Sequence, residues 1–276
     1  MTGGRDPAND GWELGGSKLP KLPGPLGDIY YADSFISEEE ETQLMHCAVH
    51  EKVPPWTTLS GRRLRVYGGV VGKRGLVADP RGLPSWMQVL LDRIHDGTRA
   101  FQDGDGADDP APTTGAPTTV PPCSPPNHVL LNEYLPGQGI MPHEDGPAYH
   151  PVVVIVSLGA NAILRFYKTR DASTAGAGQG PPSTTDLPVM SVFLRPRSVI
   201  VFKGDAYTRH MHGIDAAESE TVDATVANCA QAQVQLGDKV PRGGTRLSLT
   251  VRRVNRIIKG LSNLLKGSTR GPGSLH

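Results

Sequence analysis

Six short runs rich in Val, Ile, Leu and Phe, separated by Gly, Pro and polar residues, carry the hydrophobic pattern of this chain. They cover residues 128–134, 152–158, 162–168, 191–194, 198–202 and 246–253. Their β-branched content between turn residues predicts the strands of a mostly β core. The last run alternates cleanly. A period of two along 246–252 puts Arg246, Ser248, Thr250 and Arg252 on one face and Leu247, Leu249 and Val251 on the other, as in a strand lining a polar pocket. Helical signals flank these strands. Ser37 ahead of four glutamates, Glu38 to Glu41, has N-cap chemistry and predicts a helix through about His50. A second helix is expected from near Pro84, with Trp86, Val89, Leu90 and Ile94 on its apolar side. Val254, Ile257, Ile258, Leu261, Leu264 and Leu265 recur at helical spacing and predict a terminal amphipathic helix. It would cover the core or meet a partner or membrane surface.

Composition divides the rest. Residues 1–27 are Gly- and Pro-rich and read as loosely ordered. Residues 28–101 hold the N-terminal helices, and 102–126 are too polar and Pro-rich to pack, which predicts a disordered insertion. The β core spans 127–254, with loops at 171–186 and 216–244 that add length at little entropic cost. A basic helix and tail at 255–276 complete the chain.

Charge changes this picture only locally. Lys and Arg number 28, as do Asp and Glu, so net charge names no partner. After Arg246 there is no acidic residue, while Arg252, Arg253, Arg256, Lys259, Lys266 and Arg270 accumulate, which predicts a cationic surface or a solvated helix face. Cys47, Cys123 and Cys229 are widely spaced and odd in number, indicating neither a zinc site nor a disulfide framework. A reducing compartment, cytoplasm or nucleus, is the expectation. The chain shows neither an N-terminal apolar segment nor a long apolar run, which argues against secretion and against a membrane span.

The candidate chemistry sits in the β core. His143 and Asp145 are two apart, so a strand end can offer both to one metal ion. With a second imidazole they make the two-His, one-carboxylate set that holds non-haem Fe(II) and leaves positions open. His212 is a candidate for that imidazole, with competitors among the nine histidines, notably His210 on the same strand face. Asn132 and Tyr134 share a face just upstream and offer an amide and a phenol to a small anion. Between the helices, residues 56–69 interleave Trp56, Arg62, Arg63, Arg65 and Tyr67. This stretch is either a lid whose Arg62, Arg63 and Tyr67 face a nucleic-acid substrate or an ordinary hairpin with Trp56 and Tyr67 packed.

The run Asn-Glu-Tyr from Asn132, His-Glu-Asp from His143, His-Gly-Ile from His212, and Arg246 with five residues before Arg252 resembles the AlkB family of Fe(II)/2-oxoglutarate dioxygenases. Residues 127–170 and the run AYTRHMHGI from Ala206 narrow the likeness to one branch of that family. The resemblance implies a double-stranded β-helix, or jelly roll, with iron at its open mouth held by His143, Asp145 and His212, leaving His210 outside. It implies 2-oxoglutarate and O2 as co-substrates. Arg246 would anchor the distal carboxylate with Asn132 and Tyr134, Arg252 would hold the metal-proximal end and orient Asp145, and Ser248 and Thr250 are further contacts. The implied reaction yields succinate and carbon dioxide while an N-methyl group is hydroxylated and lost as formaldehyde. It also places the family's nucleotide-recognition segment at the 56–69 stretch. Methylated RNA or single-stranded nucleic acid is the preferred substrate. The alternatives are a protein hydroxylase or demethylase with the same iron site, and a nucleic-acid-binding module whose iron site is vestigial.

Overall fold

The computed structural model describes residues 12–14, 17–98, 100–101, 118–121, 123–169 and 187–258. Eleven strands build the two principal sheets: β1 (Ile29–Ala32), β2 (Thr57–Leu59), β3 (Arg62–Tyr67), β4 (His128–Tyr134), β5 (Ile140–His143), β6 (Val152–Leu158), β7 (Ala162–Lys168), β8 (Met190–Leu194), β9 (Val199–Lys203), β10 (His210–Ile214) and β11 (Arg246–Arg252). The larger sheet runs β1-β9-β6-β11-β4-β3-β2 and the smaller β5-β10-β7-β8. Every pairing within them is antiparallel.

β6 shows how the layers stack. All seven of its residues are buried. Val152, Val154, Val156 and Leu158 join a cluster with Leu44, Ala48, Leu90 and Ile94 from the helical side. Val153 and Ile155 point the other way, into a cluster with Leu164, Phe166 and Val192 of the smaller sheet. A strand covered on both faces must be apolar throughout, and this one is. β11 obeys the same geometry with a different result. Leu247, Leu249 and Val251 enter the helix-side cluster, so Arg246, Ser248, Thr250 and Arg252 are turned into the space between the sheets, where they line a cavity. One end of the sandwich is thus apolar and the other polar.

The helix α1 (Glu38–His50) forms as its cap predicts. The Ser37 side chain accepts from the Glu40 backbone N–H, and the Glu40 side chain accepts from the Ser37 N–H. Leu44 and Ala48 are its buried residues. No described helix is long and apolar enough to cross a membrane.

Several expectations need correction. Leu19, Leu22 and Leu26 are buried, so the end of the 1–27 segment is packed rather than loose. The helix after Pro84 changes from a 3-10 turn through an α turn to a π turn, which breaks a 3.6-residue period: Val89 is exposed, and Met87 and Leu91 are buried with Leu90 and Ile94. Most of the 102–126 insertion and all of 171–186 lie outside the described residues, but Thr118–Thr119 pairs with Arg256–Ile258. That second segment is a strand, parallel to Gly75–Ala78, where the terminal helix was expected to begin. β-Branched Ile257 and Ile258 suit a pleated surface. The remainder of that helix lies outside the described residues. Finally, 216–244 is not a free loop. Ser219–Thr221 pairs with Lys239–Pro241, and Val222, Val226 and Ala232 pack on Ile163 and Phe193, on the outer face of the smaller sheet.

Candidate functional site

β5 and β10 pair with His143 opposite His212, which brings the two ring centroids within 4.5 Å. Asp145 follows just beyond the end of β5. These three residues each offer one ligand atom, and those atoms lie within 4.8 Å of one another. His143 Nδ1 is 3.0 Å from the Met141 carbonyl oxygen, which fixes the ring and leaves Nε2 for a metal. Arg252 Nη1 donates to Asp145 Oδ1 at 2.6 Å. Asp145 Oδ2 is buried without a hydrogen-bond partner, 3.8 Å from His212 Nε2. A buried carboxylate oxygen lacking any donor is costly unless a cation takes it. Burial pushes the His212 imidazole down to about 3 and lowers that of His143. Both rings are therefore neutral at physiological pH, with lone pairs free for a metal. The donor set and its orphaned oxygen fit Fe(II). His210 is not part of it: its ring Nδ1 sits 2.8 Å from the Asp205 carbonyl oxygen, outside the cluster.

A second orphan lies across the cavity. Arg246 is buried, and its Nη2 donates to Ser157 Oγ at 2.9 Å, but its Nε and Nη1 have no hydrogen-bond partner. Burial lowers its pKa to about 10, which still leaves it charged at neutral pH. It stands 5.5 Å over the Tyr134 ring. A buried guanidinium with free donors matches the oxygens of a carboxylate, the distal group of 2-oxoglutarate. Asn132, Tyr134, Ser248, Thr250 and Arg252 line the same small cavity as His143, Asp145 and His212. Strand register explains this meeting, since Arg246 pairs with Tyr134 and Ser248 with Asn132 across β11 and β4.

Arg62, Arg63 and Tyr67 part company. Arg62 lines the cavity and donates from Nε to Asn132 Oδ1 at 3.0 Å. It also lines an open groove of about 640 Å³ that runs between the β2–β3 turn and residues 137–143 and 214–216. Arg63 and Tyr67 occupy the opposite face of β3, as a period of two requires. Arg63 donates to Glu133 at 2.5 and 2.8 Å and stacks over Trp56 at 4.6 Å. Tyr67 is in the helix-side core, edge-on to Trp86. The substrate-facing placement expected for Arg63 and Tyr67 is corrected accordingly. The 56–69 stretch is a hairpin whose Ser60–Gly61 turn forms one groove wall. Arg252 and Arg253 are buried too, which removes them from the expected cationic surface.

Three residues of the site escaped the sequence reading. Ser157 holds Arg246, and its signal was a polar residue on the inward face of an apolar strand. Tyr149 lies under the Arg252 guanidinium at 4.6 Å, with its hydroxyl 3.4 Å from His128 Nδ1. Tyr207 donates to the Gly146 carbonyl at 2.8 Å and pins the turn after Asp145. Neither tyrosine sits on a strand, so no period pointed to it.

A sequence profile of the 2OG-Fe(II) oxygenase superfamily matches residues 28–252. A Danio rerio protein named "Probable RNA/DNA demethylase ALKBH6" is 36% identical over 239 residues, 87% of this chain and 90% of its own length. A Macaca fascicularis protein named "tRNA (carboxymethyluridine(34)-5-O)-methyltransferase ALKBH8" is 30% identical over 134 residues, 48% of this chain and 18% of its own length. The solved structure of OsALKBH1 shares the fold, with a TM-score of 0.50 at 18% identity over 84% of this chain and 99% of that one.

Proposed function

The chain belongs to the 2OG-Fe(II) oxygenase superfamily and resembles its AlkB members, and from that premise we propose that it oxidatively removes N-methyl groups from RNA or single-stranded nucleic acid. The two facing sheets are read as the double-stranded β-helix of that superfamily. One observation carries the reading: two buried orphans, Asp145 Oδ2 and the Arg246 donors, face one cavity that shares Arg62, Ile140, His143 and Ile214 with an open groove.

Bound Fe(II) supplies the activation of O2 that is coupled to decarboxylation of 2-oxoglutarate. The chain supplies position. Arg252 holds Asp145 Oδ1 so that Oδ2 remains for the metal, and the Met141 carbonyl fixes the His143 ring. Arg246, held by Ser157, takes the distal carboxylate of 2-oxoglutarate, while Asn132 and Tyr134 shape the adjoining wall. Burial of these groups keeps water away and strengthens each charged contact. The groove admits the methylated group to the His143 side of the cavity. One oxygen atom enters the new carboxylate of succinate and the other the methyl C–H bond; the resulting hydroxymethyl amine loses formaldehyde.

A protein substrate is the second reading. Among the described residues, the groove lining carries no Phe, Tyr or Trp on which a base would stack. The test is formaldehyde release by iron-loaded protein from N-methylated RNA oligonucleotides and, in parallel, from methylated peptides. Release from RNA alone supports the proposal; release from peptides alone replaces it with the second reading.

A further inference from the structure

Arg242 is buried in the 216–244 segment, and its guanidinium serves three acceptors at once. Nε donates to Glu220 Oε1 at 2.7 Å, Nη2 to the Asp215 carbonyl at 2.5 Å, and Nη1 to the Gln138 carbonyl. Gln138 and Asp215 are the two lips of one wall of the open groove. They belong to different parts of the chain, one leading into β5 and the other leaving β10, the strands that bring His143 and His212 together. Glu220 is buried beside Arg242, with side chains 2% and 3% exposed, so neither charge is left alone. Asp215 is held a second time, by Arg165 Nε on Oδ2 at 2.8 Å. No Arg242 N–H group bonds to the metal cluster or the cavity lining; besides Glu220 they reach the wall that substrate would pass.

We propose that Arg242 is a positioning residue for substrate: the inserted segment delivers it so that one rigid cation sets the spacing of the two groove lips. The inference rests on the groove being the substrate entrance. The three acceptors are met by three separate nitrogens of one rigid plane, whereas the three donors of a lysine ammonium all leave from a single nitrogen and cannot span the same positions. Displacing a positioning wall by about 1 Å lowers turnover of bound substrate by up to about a hundredfold. The Arg242 hydrogen bonds end on Glu220 and the groove wall, while its charge and that of Glu220 reach Arg246 through space. Arg242 adds to the Gly137 N–H bond to the Ala217 carbonyl at 3.1 Å and the Ile140–Ile214 pairing, which already join the two lips.

The experiment compares wild type with Arg242→Lys and with the paired Arg242→Met, Glu220→Met variant, which removes both buried charges together and so protects folding. Amide hydrogen exchange of peptides covering 137–139 and 214–216 is read beside binding and turnover of a fluorescein-labelled single-stranded RNA carrying N-methylated adenine. The expected result is faster exchange confined to those two peptides, with the RNA bound more weakly by about tenfold or more and kcat for it lowered by up to about a hundredfold. Glu220→Gln, which keeps an acceptor for Arg242, should retain the slow exchange of wild type. Unchanged exchange in both Arg242 variants would overturn the proposal. If wild type binds no methylated RNA, the nucleic-acid reading fails, and the exchange arm alone still decides the clamp.

Discussion

At the scale of single residues, the site is defined by two buried side chains, Asp145 and Arg246, that each present atoms without partners. Asp145 Oδ2 calls for a cation and the Arg246 donors call for an anion, and they face one cavity. His212→Ala should abolish iron-dependent 2-oxoglutarate turnover, while His210→Ala, whose ring is tied to Asp205, should retain most of it. Succinate assay of both variants checks this, and the reverse pattern would reassign the ligand. Arg246→Lys replaces a fork with a point charge, so KM for 2-oxoglutarate should rise by about tenfold or more, the worth of a charge-assisted bond. An unchanged KM would move the anchor elsewhere. These residues were legible because a period of two sorts strand positions into faces, and β11 carries its polar residues on one face without exception. Arg63 and Tyr67 were misplaced because composition, unlike periodicity, does not say which face a side chain takes.

At the scale of elements, six strands were readable from their apolar runs, and three match the observed bounds, His128–Tyr134, Val152–Leu158 and Ala162–Lys168. The 216–244 segment was not readable, because its packing depends on Val222, Val226 and Ala232 meeting the outer face of another sheet, and no local period announces that. Strand β3 was legible only as part of the hairpin reading of 56–69. Arg62 and Arg63 are adjacent and bond to Asn132 and Glu133 on opposite faces of the sheet, so no polar–apolar alternation marks the strand. The groove itself depends on glycine. A Cβ on Gly139 would stand 2.3 Å from the Ile214 carbonyl oxygen and 2.7 Å from the Asp215 carbonyl carbon, both backbone atoms that cannot swing aside. Gly139→Ala should therefore lower stability by about 1–3 kcal/mol, the usual cost of overpacking. Urea unfolding measures it, and an unchanged midpoint would mean that β5 and β10 can part without loss.

At the scale of the whole molecule, a polar pocket buried between sheets makes folding depend on pH. Burial, reinforced by nearby Arg252, pushes the His128 imidazole from 6.5 down to about 4. The folded state holds this ring neutral while the unfolded chain protonates it, so its stabilising contribution is complete above pH 6.5 and is lost as pH falls toward 4. The effect is at most on the order of 3 kcal/mol. His128→Gln should flatten the fall in unfolding temperature between neutral and mildly acid pH; an equally steep fall would place the sensitivity in other groups. The central claim, that this chain is a working Fe(II)- and 2-oxoglutarate-dependent dioxygenase, is tested most directly by succinate formation. Protein loaded with Fe(II) without oxygen and then exposed to it should convert 2-oxoglutarate to succinate, and His143→Ala treated alike should not. Equal succinate from both, or none from wild type, would contradict it.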